Sequence, residues 1–186
     1  LGLMALVQMG SAAIWSFHSV YLSELGASRW LLGASVAVRG LSELPLFLVS
    51  ATIIRRLGVR PTLILATAVF GIRELAYSLI RVPEVSLIVE AAHGLSFSLL
   101  LVAATCYVHE IVPREWRATG QALLTAALFG AGGLLGNACS GWLYDRLGIL
   151  GMFRVNGLWV LSLAVVAFLI LQRPASGAAD AATGNR

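Results

Sequence analysis

The chain has no lysine: all thirteen of its basic residues are arginine. Charge of either sign is scarce, at 12% of 186 residues, about half the share in a typical soluble domain. With 59% of residues hydrophobic and a mean hydropathy of +0.87, there is too little polar material to cover a water-soluble fold. The solvent over most of the length must be lipid. Cysteine is nearly missing as well. Cys106 and Cys139 fall in separate apolar runs, expected in opposite halves of the bilayer. That disfavours a disulfide framework or a thiolate metal site and leaves two small buried hydrophobes. The start shows neither an initiator methionine nor a basic segment with a small-residue cleavage site, and the first apolar run is already under way at Leu1. The expectation is a piece of a longer protein, without a cleavable signal peptide.

What is present is a series of six apolar runs long enough to span, at about 1–22, 30–54, 61–80, 85–108, 118–142 and 149–171. The breaks between them carry the arginines and the turn residues, as in Arg55-Arg56-Leu57-Gly58-Val59-Arg60-Pro61 and Tyr144-Asp145-Arg146-Leu147-Gly148. Arginines so placed report membrane topology rather than a phosphate-binding face, so no nucleic-acid partner is expected. If residue 1 enters from the cytoplasm, Arg55, Arg56, Arg60, Arg114, Arg117, Arg173 and Arg186 lie inside. Arg29, Arg81, Arg146 and Arg154 then lie outside, and the balance favours this orientation. The tail at 173–186 is small and polar and is expected to be a disordered cytoplasmic segment. Arg56-Leu57-Gly58 follows the second run and Arg146-Leu147-Gly148 the fifth. The same turn after equivalent spans, on opposite sides of the membrane, suggests an inverted repeat of three plus three helices.

Several polar residues interrupt the runs. Arg39 and Glu43 stand in the second, Arg73 and Glu74 in the third, Glu90 and His93 in the fourth, and Gln8 and His18 in the first. A charge at mid-bilayer costs about 2.5–3.5 kcal/mol on the lenient insertion scale. Counted at 1.5 Å per residue, Arg39, Arg73 and His93 all fall roughly 12–14 Å from the outer surface. They can therefore converge at one level, where carriers bind solute. The i, i+4 spacing pairs Arg39 with Glu43, and Glu90 lies one turn from His93, where it can set the proton affinity of the ring. The competing explanation is a set of ion pairs that merely hold helices together. In the fifth run Gly132, Gly136 and Ser140 recur every fourth residue and form a smooth face for close helix approach, beside Asn137. The sixth, after Asn156, reads as apolar all round and lipid-facing. Tyr107 and His109 near the inner end of the fourth are candidates for a cytoplasmic gate.

The stretch Gly141 to Gly148, GWLYDRLG, resembles the G-x-L-x-D-R-x-G signature of the major facilitator superfamily, and RRLGVRPTLIL, Arg55 to Leu65, resembles its cytoplasmic counterpart. EAAHGLSFSLL and RATGQALL are similar to stretches on and after the tenth helix of that family. From Ser16 to Phe168 the chain is similar to the carboxyl-terminal half of its lactose- and nucleoside-permease-like branch. The resemblance implies an all-α six-helix bundle, helices seven to twelve, partnered by an absent amino-terminal half. It further implies alternating access powered by a proton gradient, with no organic cofactor and no metal. By position the resemblance picks out Glu43, Arg73, His93 and Glu90, with Glu43, Glu90 and His93 the proton-coupling candidates; the intramembrane polar residues Arg39, His18 and Asn137 join Arg73 as solute-binding candidates. Arg56, Gly58, Arg60, Asp145, Arg146 and Gly148 become the gating turns. This sequence departs from the sugar symporters in reading Glu-x-x-His where they read His-x-x-Glu, and Arg55 replaces the usual Asp of the first turn. The expectation is half of a secondary transporter for a small polar or anionic solute, probed against a solute sensor and an intramembrane enzyme. The enzyme reading has no support from motifs: His-Glu-x-x-His is absent, and Gly94-Leu95-Ser96-Phe97 lacks the second glycine of a serine-protease turn. The expected location is a bacterial-type plasma membrane with the carboxyl terminus in the cytoplasm.

Overall fold

A computed structural model describes residues 1–171, and every regular element in them is helical. The expected tail lies outside the described residues. Helices α1 (Gly2–Ser16) and α2 (His18–Glu24) form a pair bent by 46° at Phe17. α3 (Arg29–Leu57) starts where the Ser28 hydroxyl accepts from Leu31 N–H, and runs unbroken through Pro45. It stops at Gly58, whose φ of 89° only glycine adopts readily. α4 (Val59–Leu79) follows directly. α5 (Ser86–Ala91) and α6 (His93–Ile111), entered by a 3₁₀ turn at Pro83–Val85 and separated only at Ala92, make one 29-residue span. After a second 3₁₀ turn, α7 (Arg117–Thr125) passes through a π-helical stretch, Ala126–Gly132, into α8 (Gly133–Leu171).

Among the described residues four helical stretches are long and apolar enough to cross a membrane, or five if the bent α1–α2 pair counts as one. The last of them, Arg114–Ile170, has 57 residues; straight, it would be about 85 Å long, far beyond a hydrocarbon core of about 30 Å. It is not straight. Gly148 has φ 69° and ψ 175°, and Asn156 Nδ2 donates to Ser140 Oγ at 3.0 Å. Those two residues would be about 24 Å apart on a continuous helix, so α8 folds back on itself at Gly148 into two antiparallel limbs.

Small residues set the distances between the layers. A Cβ at Gly71 of α4 would meet Leu161 at 2.7 Å, and one at Gly157 would meet Leu75 at 2.8 Å. Gly136 packs against Met9 and Ala12 of α1, and Gly132 against Ala5 and Gln8, so the glycine stripe serves as the seat of α1. Between α4, α2 and the second limb of α8 lies an aromatic core of Phe70, Tyr77, Tyr21 and Phe153, all fully buried. One expectation needs correction here. The second limb of α8 is not lipid-facing all round: Val160, Leu163, Ala164 and Ala167 are buried, while Val165, Phe168, Leu169 and Ile170 face outward. A uniformly apolar helix gives no pattern from which its packed side can be read.

Candidate proton and solute site

Glu90, at the end of α5, is the centre of the polar interior. Its side chain is wholly buried; two neighbouring helices send donors to it, and a third sets a histidine beside it. Arg39 of α3 grips it with both ends of its fork, Nε to Oε2 at 3.0 Å and Nη2 to Oε1 at 2.8 Å. From α4, the Tyr77 hydroxyl donates to Oε1 at 2.6 Å and Arg73 Nη2 to Oε2 at 3.4 Å. His18, the first residue of α2, places Nε2 2.7 Å from Oε1. Arg73 is held in place by Val89 O at 3.1 Å and Ser96 Oγ at 2.9 Å. A bidentate guanidinium supplemented by further donors is the arrangement that lets a carboxylate stay ionised away from water.

A second pair lies beside the first. His93 opens α6 with its ring completely buried, and its Nε2 is 3.2 Å from Oε1 of the partly exposed Glu43. The ring stacks on Phe97 at 5.4 Å and meets the edge of Trp15 at 5.2 Å. Trp15 also carries the Arg39 guanidinium over its face, 5.5 Å from the centroid. Ser42 ties the two helices together, its hydroxyl accepting from Gly94 N–H at 3.0 Å.

The pairing suggested by sequence spacing is therefore rearranged. Arg39 binds Glu90 rather than Glu43, and Glu43 takes His93. Helical spacing reports which side chains share a face, not what the neighbouring helix presents to that face. A fully buried carboxylate demands a counter-charge more strongly than one that is 21% exposed, so the long arginine reaches across to it. Glu90 and His93 fall on either side of the break at Ala92 and have different partners. Glu74 is fully buried, and among the described residues neither of its oxygens makes a hydrogen bond. Asn137 is exposed on the first limb of α8 and lines a cavity beside Gln8 and Trp15. Of the turn residues, Gly58 and Gly148 both take positive φ, and Arg146 lies over Trp142 at 5.4 Å. Arg56 and Arg60 flank the α3–α4 junction, and Asp145 precedes the fold-back.

Sequence reasoning missed Tyr77, Ser96 and Trp15. Tyr77 stands one turn after Arg73, and Trp15 one turn before His18, so helical spacing from the intramembrane charges would have found both. It missed as well the hydrogen bond from Tyr144 to Glu24 Oε1, 2.6 Å, which ties α8 to the end of α2.

Apolar helices enclosing a charge cluster built from several spans define an integral membrane protein. The chain belongs to the MFS_1 like family, a group of the major facilitator type, which it matches over residues 1–155. It is similar to an uncharacterized transporter, YwbF, of Bacillus subtilis (strain 168), with 26% identity over 151 residues. That alignment covers 80% of this chain and 37% of the relative, so the chain spans little more than a third of the relative's length. Both matches are to proteins of the transporter type rather than to enzymes.

Proposed function

We propose that this chain is the carboxyl-terminal, six-helix half of a proton-coupled secondary transporter in the lactose- and nucleoside-permease-like branch. It moves a small polar or anionic organic solute by alternating access. The six helices are the α1–α2 pair, α3, α4, the α5–α6 span, α7 with the first limb of α8, and the second limb of α8. They form a three-plus-three inverted repeat, and an amino-terminal half of matching size completes the solute path. The protein sits in a bacterial-type plasma membrane with its carboxyl terminus in the cytoplasm, and the proton gradient is its energy source.

The observation that carries the reading is the set of donors around Glu90. Protonation of this carboxylate removes the shared counter-charge of Arg39 and Arg73 and loosens three helices at once. A proton can thus bias one conformation over another, which is what coupling requires. Glu43 and His93, 3.2 Å apart, form the adjacent step of the proton path. His18, Arg39 and Arg73 tune that path, and Asn137 contacts the solute.

The test is uptake in proteoliposomes of the intact protein, screened with sugars, nucleosides and aromatic compounds under an imposed pH gradient. Glu90→Gln is expected to abolish accumulation against a gradient while keeping exchange of labelled for unlabelled solute. Accumulation that survives in Glu90→Gln would refute the coupling role, and an intact protein that shows no exchange would be a sensor rather than a carrier.

A further inference from the structure

One buried acid takes no part in the cluster around Glu90. Glu74 of α4 has no exposed surface, and among the described residues neither of its oxygens makes a hydrogen bond. Its neighbour in sequence cannot serve it. Adjacent residues of a helix do not face each other, and the Arg73 guanidinium is spent on Glu90, Val89 O and Ser96 Oγ. Tyr77, one turn further along α4, gives its hydroxyl to Glu90. The helices packed against α4 bring no free cation among the described residues. Arg39 of α3 is closed on Glu90, His18 of α2 stands against Glu90, and His93 of α6 stands against Glu43. Tyr21 of α2 has a buried hydroxyl that makes no hydrogen bond to Glu74 or to any other described residue. Helix α1 carries no titratable side chain, and Arg154 on the second limb of α8 is exposed. Cys106, Tyr107, His109 and Glu110 lie at the Ile111 end of α6, far along the helix from His93.

An ionised carboxylate in that position would have lost its hydration with nothing in exchange, and such a group takes up a proton instead. A neutral acid has a single O–H to place and no charge to compensate. Charge counting agrees. With the histidines neutral, Arg39 and Arg73 are balanced by Glu90 and Glu43, and an ionised Glu74 would leave an excess negative charge in the interior. The enclosure of Glu74 is complete within this chain, so neither lipid nor a further helical unit supplies a partner. We infer that Glu74 is a second proton-binding site, holding a resident proton while Glu90 on the neighbouring helix is ionised. Two glutamates of one bundle thus play opposite parts. Glu90 sits among donors that stabilise its charged form, and Glu74 sits where only the neutral form is at rest. The inference needs α4 to lie in the membrane but does not need the coupling role of Glu90. It also removes Glu74 from the ion pairs that hold the helices together.

The test is infrared spectroscopy of the intact protein in lipid, reading the carbonyl stretch of a protonated carboxylic acid. Spectra are taken from about pH 6 to about pH 9, where an ordinary glutamate is ionised. The difference between the unaltered protein and Glu74→Gln is expected to show this band, undiminished across the whole range. Glu74→Leu gives the same difference if Glu74→Gln does not fold. The band should also persist in Glu90→Gln, whether or not that variant accumulates solute, so the result is separate from the coupling role. Three results would each overturn the inference: no such band in the unaltered protein at about pH 9, a band that survives intact in the folded Glu74 variants, or one that disappears in Glu90→Gln. The first would make Glu74 an ion, and the other two would place the proton on another group.

Discussion

At the scale of single residues, stability and function depend on whether each buried charge keeps its partners. Arg39 gives two hydrogen bonds to a carboxylate with no access to solvent. Arg39→Met should therefore cost about 3–5 kcal/mol, because it leaves Glu90 under-compensated in a low-dielectric interior. Tyr77→Phe removes a single donor to the same charged group, 2.6 Å from Oε1, and should cost about 1.5–3 kcal/mol. Glu43→Gln alters a pair in which the carboxylate is partly exposed, and its cost should stay near 1 kcal/mol or below. Denaturant unfolding in detergent gives all three, and the predicted order is Arg39, then Tyr77, then Glu43. The identities of the charged residues were legible from sequence, since intramembrane charges stand out against apolar runs. Their pairing was not legible, because it depends on how α3, α4 and α5 are rotated against each other. Spacing along α3 alone pointed Arg39 at Glu43, on its own helix.

At the scale of helices, close approach is set by a few glycines whose neighbours are backbone. A Cβ on Gly136 would collide with the Met9 carbonyl of α1, whereas one on Gly130, six residues earlier, meets nothing within 4 Å. Gly136→Ala should destabilise the protein by about 1–3 kcal/mol, and Gly130→Ala should stay within about 0.5 kcal/mol of neutral. Thermal unfolding of the two variants side by side checks the seating of α1 on α8. The runs themselves were readable because lipid demands long apolar stretches. The reversal at Gly148 was readable too, from an Asp-Arg-Leu-Gly turn with the conformational freedom that only glycine brings. The bend at Phe17, the break at Ala92 and the π-helical stretch were not readable. None of the three is marked by proline at the break, and all are fixed by packing between helices.

At the scale of the whole molecule, apolar surface covers the outside as well as the core. α3 is the clearest case: only 6% of its most apolar window is buried, and Leu41, Leu44 and Leu48 are exposed, as suits a helix facing lipid or a further helical unit. The arginine distribution predicts that the α3–α4 turn is cytoplasmic and the Gly148 turn external. In a Cys106→Ser, Cys139→Ser background, a membrane-impermeant maleimide should label Arg146→Cys in intact cells. It should label Arg56→Cys only after permeabilisation, and the reverse pattern would invert the proposed topology. The central claim is that protonation of Glu90 is linked to solute movement, and proton flux measures this most directly. Addition of a transported solute to lightly buffered, de-energised membrane vesicles should cause transient alkalinisation of the medium with the unaltered protein and none with Glu90→Gln. Equal alkalinisation in both would contradict the account.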